Sequence, residues 1–124
     1  MVPSTALVYV ATKGAIEQIA RVLAKDLGAS EITVNTVSPG PVDTDLFRAD
    51  KSESQIQFFR NLHPSKRLGQ TDDISAVVAF LVQPEAKWIN GQNILVNGVR
   101  FNLCTSAITN TLVGLRRLIL PATN

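Results

Sequence analysis

The chain is poor in the residues that build covalent or metal-held structures. Among its 124 residues there is one cysteine, Cys104, one histidine, His63, one tyrosine, Tyr9, and one tryptophan, Trp88. A lone cysteine excludes an internal disulfide and favours a reducing compartment, so a cytoplasmic protein is expected. One histidine and one cysteine cannot assemble a thiolate/imidazole zinc cluster, so no metal site is expected. Aromatic residues make up 6% of the chain and are not interleaved with basic ones, which argues against base stacking. The net charge is only +2, and the basic residues, Arg116-Arg117 among them, form no extended cluster, so a nucleic-acid footprint is absent. No apolar run reaches the roughly 18 residues of a membrane span. The N-terminus lacks a basic segment followed by an apolar core, so no secretory signal is expected. The seven glycines, at 14, 28, 40, 69, 91, 98 and 114, are too far apart for a glycine-rich phosphate-binding loop.

What remains is the composition of one globular domain, 45% apolar and 18% charged. Ile16, Ile19, Ala20, Leu23 and Leu27 recur at helical spacing and predict a helix from Tyr9 to Leu27, with Lys25 in its last turn and Gly28 as its stop. Pro3-Ser4-Thr5 reads as a leading loop. Ile32-Thr33-Val34-Asn35-Thr36-Val37 alternates branched apolar and polar residues and predicts a strand, ended by Ser38-Pro39-Gly40-Pro41. Asn35 is expected to be a strand residue satisfied by neighbouring backbone. Residues 43–50 and a short amphipathic helix over Ser52–Leu62 read as a flap, broken by His63-Pro64. Thr71 is expected to cap a helix with Asp72 and Asp73 in its first turn and Ile74, Val77, Val78 and Leu81 on its apolar stripe. Asn90-Gly91 predicts a turn and Asn93–Asn97 a short strand. Beyond Gly98 the chain becomes apolar and threonine-rich, with weak helical periodicity near Leu112, Leu115, Leu118 and Ile119.

Tyr9 and Lys13 stand four residues apart on the first predicted helix, so they share a face. A phenol is ordinarily a poor acid at neutral pH. A cation about 5 Å away, at an effective dielectric of about 20, favours a phenolate by about 3 kcal/mol. Such a pair could exchange a proton with a carbonyl or alcohol oxygen. A buried tyrosine with a solvated lysine one turn on is the ordinary alternative.

Four segments, in this order, carry a resemblance. They are Tyr9-Val10-Ala11-Thr12-Lys13-Gly14-Ala15, then Ile32 through Thr44, then Arg67-Leu68-Gly69 ahead of Asp72-Asp73-Ile74, and finally Ile89 through Gly98. Together they resemble the C-terminal half of the short-chain dehydrogenase/reductase family. The resemblance implies an α/β fold, a partial Rossmann-type doubly wound parallel sheet consisting of the last two strands and their helices. It divides the chain into residues 1–98, similar to the family, and a tail, 99–124, outside it. It implies NADP or NAD as cofactor and a small carbonyl or alcohol substrate. Tyr9 would be the acid/base, and Lys13 would tune it and bind the nicotinamide ribose. Pro39, Gly40, Val42 and Thr44 would also contact the cofactor, with the Val42 amide and Thr44 hydroxyl on the carboxamide. Leu46, Phe47, Phe58 and Phe59 would line a substrate flap. Homo-oligomers or association with related subunits are expected, since the tyrosine-bearing helix contributes to a subunit interface in the family.

The chain also departs from the family pattern. It has no Gly-x-x-x-Gly-x-Gly, and the family's catalytic serine would fall before Met1. The strand at 32–37 would present an edge that a neighbouring strand normally covers, which invites association. Two functional expectations follow. One is an oxidoreductase using the Tyr9/Lys13 pair. The other is a truncated, non-catalytic fragment or interaction module that docks onto full-length relatives.

Overall fold

The computed structural model describes residues 6–98 and the backbone of residues 111–116. The expected loop at Pro3–Thr5, the lone Cys104, and Leu118 and Ile119 of the tail lie outside the described residues. Helix α1 spans Leu7–Asp26, strand β1 Ile32–Pro39, and the short helix α2 Asp45–Arg48. Helix α3 spans Glu53–Asn61, α4 Thr71–Leu81, strand β2 Asn93–Val96 and strand β3 Thr111–Arg116. Single 3-10 turns at Gly28–Ser30 and Pro84–Ala86 follow α1 and α4.

The sheet runs in the order β2-β1-β3. Strand β1 pairs with β2 in parallel, from Thr36 opposite Asn93 to Pro39 opposite Val96. The parallel pair joined through helices is the α/β arrangement that the sequence pattern predicts. Two features differ. The strand does not stop at Val37, because Ser38 and Pro39 continue the pairing with Leu95 and Val96. A proline can hold a ladder position wherever its missing N–H is not called on. The second difference is β3, which pairs antiparallel with β1 from Ile32 opposite Arg116 to Val37 opposite Thr111. The weak helical spacing of Leu112 and Leu115 therefore misleads, since strand pairing with β1 overrides a marginal local preference. It also means the expected bare edge of β1 is covered from within the chain.

Helix α1 packs on the sheet through Ala20 and Ala24, which enclose Val34 with Leu23, Leu27 and Ile32 around them. Small alanines let the helix sit close to the strand. Ile19, expected on this stripe, is instead about half exposed. Strand β1 is buried on both faces from Val34 to Ser38. Its polar residues are accommodated by hydrogen bonds rather than by solvent. Asn35 donates to the Ile89 carbonyl at 2.8 Å and accepts from the Gln92 amide at 3.0 Å.

Helix α3 starts with a capping box in which Ser52 and Gln55 satisfy each other's exposed amides, as an amphipathic helix in a flap requires. Helix α4 is capped one residue earlier than its sequence suggests. Gln70 is the cap, Thr71 the first helical residue, and Asp73 accepts from the Gln70 amide at 2.7 Å.

Candidate active site

Tyr9 and Lys13 are both on α1, and the Lys13 Nζ lies 5.5 Å from the centre of the Tyr9 ring. The two side chains therefore share one side of the helix, with the ammonium over the ring face, where the π-electrons attract a cation. Tyr9 is 42% exposed, open enough for a substrate to reach.

One turn further along the same face, the Glu17 carboxylate accepts from Asn93 Nδ2 at 2.9 Å. The Oδ1 of Asn93 in turn accepts from the Ser38 hydroxyl at 2.6 Å. This relay ties α1 to both parallel strands and fixes which way its functional face looks. At a rise of about 1.5 Å per residue, Lys13 and Tyr9 lie about 6 and 12 Å beyond Glu17 along the helix axis. At its other end α1 is anchored to the start of β1, since Asn90 bridges the Ala24 carbonyl (3.2 Å) and the Val34 amide (2.8 Å). Helix and strand thus run in opposite senses, and the N-terminal half of α1, which carries the pair, extends toward the carboxyl edge of the sheet. Open α/β sheets bind their ligands along that edge.

The segment after β1 is held tightly. Gly40 donates to the Val96 carbonyl at 3.0 Å. A β-carbon on Gly40 would come within 2.9 Å of the Asn97 Cα, so here glycine is required by the neighbouring end of β2. Val42 forms an isolated parallel bridge with Gly69. The bridge uses the Pro41 carbonyl (2.9 Å) and the Asp43 amide (2.8 Å), which turns the Val42 amide to the opposite side. The Thr44 hydroxyl accepts from the Phe47 amide at 3.2 Å as the cap of α2, and keeps its own proton to donate. Arg48 forks onto Asp43, with Nη2 to Oδ2 at 2.7 Å and Nε to Oδ1 as the second contact. That bond to Arg48 holds the Asp43 carboxyl below its ordinary range.

The flap carries an aromatic ladder. Phe47 and Phe59 meet edge to face at 5.3 Å, Phe58 and Phe59 at 5.7 Å, and the Lys51 ammonium lies 4.5 Å from the Phe47 ring centre. Leu46 and Phe58 point outward to solvent. A cleft of about 230 Å³ opens between the flap, the start of α4 and the end of β2, lined among others by Gly40, Val42, Phe59, His63, Arg67 and Asn97. Gly40 and Val42 line it, whereas Tyr9 and Lys13 do not. Along its wall Arg67 grips Asp73 with two bonds, 2.6 and 3.1 Å. That grip, reinforced by the Gln70 amide, pulls the Asp73 carboxyl down to about 2.

The sequence singled out the Tyr9/Lys13 pair and the Pro39–Thr44 segment. It did not anticipate the Glu17–Asn93–Ser38 relay or Asn90 as the clamp between α1 and β1. Among the described residues no group of side chains could hold a metal ion, and no helix is long and apolar enough to cross a membrane.

The sequence profile of the family described as "Enoyl-(Acyl carrier protein) reductase" matches residues 1–98. A "Short-chain type dehydrogenase/reductase" of Picea abies is 44% identical over 90 residues, covering 73% of this chain and 33% of the relative. The "NADPH-dependent aldehyde reductase 2, chloroplastic" of Arabidopsis thaliana is 46% identical over the same length, with the same coverage of each. Among solved structures, a blue fluorescent protein from a metagenomic library, in complex with NADPH, superposes with a TM-score of 0.66 at 37% identity. That alignment covers 74% of this chain and 36% of the other. The chain thus spans about a third of the length of the curated relatives it matches. With helix, parallel strands and intervening segments in common, and a profile match over most of its length, the chain belongs to the short-chain dehydrogenase/reductase family.

Proposed function

We propose that this chain carries the proton-transfer half of an NAD(P)-dependent oxidoreductase site, acting on a small carbonyl compound or a secondary alcohol. Tyr9 gives its phenolic proton to the substrate oxygen during reduction and takes it back during oxidation. Lys13, lying over the same ring, offsets the charge that develops on the phenol oxygen and offers an ammonium donor to ribose hydroxyls. The single observation that carries this reading is the Tyr9–Lys13 contact on one helix face at the carboxyl edge of the parallel strands.

The residues present fit the nicotinamide end of such a cofactor. The Val42 amide is turned away from its bridge, and the Thr44 hydroxyl retains a donor, so both can meet a carboxamide. Pro39 ends β1 opposite Val96, and Gly40, bonded to the Val96 carbonyl, begins the segment that carries Val42 and Thr44. When bound, the nicotinamide supplies or accepts the hydride. The protein residues bind, orient and move the proton. NADPH is the favoured form, because a relative is named for its dependence on NADPH and a structural neighbour holds it. Residues 1–98 constitute the family portion and 99–124 an appended tail.

The test is titration of the purified chain with NADPH, following nicotinamide fluorescence, together with aldehyde turnover. Binding is expected to enhance or blue-shift the emission. Tyr9→Phe is expected to retain binding while lowering turnover by about 10²- to 10⁴-fold, the usual worth of a general acid. An unchanged emission up to millimolar NADPH would remove the proposal.

A second reading is favoured by a separate observation. Leu7 and Val8 are 76% and 75% exposed at the start of α1, and Ile19 and Val22 are more than half exposed further along it. An outward apolar helix face of this kind suits docking onto related subunits or a second copy. Concentration-dependent mass in solution, abolished by Val8→Lys with Val22→Glu, would support it.

A further inference from the structure

His63 ends the flap, and its imidazole occupies the space that a side chain on Gly98 would need. A β-carbon on Gly98 would lie 1.7 Å from His63 Nε2 and 2.3 Å from Cδ2. Gly98 also has φ near +60°, so both backbone and neighbour demand glycine there. The ring is fixed by one local hydrogen bond, from the Ser65 amide to Nδ1 at 2.9 Å. A nitrogen that accepts from an amide must keep its lone pair, so the neutral ring carries its proton on Nε2, on the side of Gly98.

From Gly98 the contact passes directly to the candidate site. The preceding residue, Asn97, is the one whose backbone crowds Gly40, and Gly40 is bonded to the Val96 carbonyl. The end of the flap, the end of β2 and the Gly40–Val42 segment are therefore one packed unit around a single cleft.

We propose that His63 is a positioning residue whose neutral imidazole latches the flap onto the end of β2, holds Gly40–Val42 in its cofactor-binding position, and releases them when protonated. This rests on the reading that Gly40 and Val42 contact the nicotinamide cofactor. Protonation makes both ring nitrogens donors, so the Ser65 amide loses its acceptor and meets another N–H. The charged groups around the ring come from three elements. Arg60 closes α3 and is paired with Glu53. Lys66, in the loop, donates to the Asn61 carbonyl, and Arg67 is forked onto Asp73. From α4 comes Asp73, whose carboxylate feels the charge of His63 and which lines the same cleft. The end of β2 brings only Asn97 and Gly98, which are uncharged. The latch is closed while the ring is neutral and Nδ1 accepts from the Ser65 amide, and open when both ring nitrogens are donors.

Two measurements on the full chain test this. Fluorescence titration with NADPH at about pH 8 and about pH 5.5 should show affinity falling roughly fivefold at the lower pH, the worth of one neutral hydrogen bond. Hydrogen exchange without cofactor should show the Ser65 amide losing protection over the same range, after correction for intrinsic rates. His63→Asn keeps an oxygen that can accept from the Ser65 amide, but it has no ring to reach Gly98 and does not titrate. Its NADPH affinity should be the same at both pH values. A pH dependence surviving in His63→Asn, or a Ser65 amide equally protected throughout in the unaltered chain, would overturn the latch. If NADPH bound neither protein at any pH, the cofactor reading would fall and the positioning role with it, while Ser65 exchange would still report separately whether the latch exists.

Discussion

Asn35 is 2% exposed, and both ends of its carboxamide are used, one on the Ile89 carbonyl and the other on the Gln92 amide. With Asn90 clamping Ala24 and Val34, it ties the turn before β2 to the core strand and helix. Replacing Asn35 by Leu keeps the volume but removes two part-buried hydrogen bonds, to the Ile89 carbonyl and from the Gln92 amide, worth about 1 kcal/mol each. The expected outcome is a clear drop in the urea midpoint with little change in its slope. A midpoint equal to that of the unaltered chain would show the carboxamide to be dispensable. Alternation of Ile32, Val34 and Val37 with polar residues made the strand legible and left Asn35 with backbone partners, as found. The burial of its polar face was not legible. Alternation ordinarily signals one solvated face, and the partners of Asn35 lie more than fifty positions away.

Among the elements, helices were readable where an apolar stripe recurs locally, and their starts were less so. Thr71 has the right chemistry for a cap, yet Gln70 takes the position because Asp73 reaches back to its amide while being gripped by Arg67. No local rule connects Arg67 to a residue six positions on across a turn. This arrangement makes the start of α4 acid-sensitive. The Asp73 carboxyl is drawn down to about 2, chiefly by its hydrogen bond to Arg67. A depressed carboxyl contributes stability that is complete above its unfolded-state value, near 3.9, and lost as pH falls through the folded value. The first turn of α4 is therefore expected to loosen between about pH 4 and pH 2, seen as faster amide exchange at Gln70. Asp73→Asn should weaken that turn already at neutral pH and flatten its acid response. An unchanged acid response in Asp73→Asn would assign the loosening to another carboxylate.

At the scale of the whole molecule, the Tyr9/Lys13 pair was legible because four residues on one helix suffice to define it. The surroundings that orient it were not, since Glu17, Ser38 and Asn93 meet only once the chain has folded. The sheet raises the same issue. Residues 1–98 match the family and contain two parallel strands, whereas β3 comes from beyond the match and occupies the free edge of β1 along all six of its residues. That edge presents Ile32, Val34 and Val37 on a strand already buried on both faces at its centre. Uncovered, it would offer a row of unpaired amides and carbonyls to any other extended segment. Self-pairing by β3 therefore stands in for the neighbour that a larger sheet would supply, and it opposes docking of any other strand at that edge. Deleting residues 99–124 is expected to make light scattering rise with concentration more steeply than in the unaltered chain, with β-rich association. Returning a synthetic Thr111–Arg116 peptide in excess should suppress that rise. A truncated chain that remained monomeric at high concentration, with an unaltered urea midpoint, would mean that the edge of β1 is protected by something other than β3.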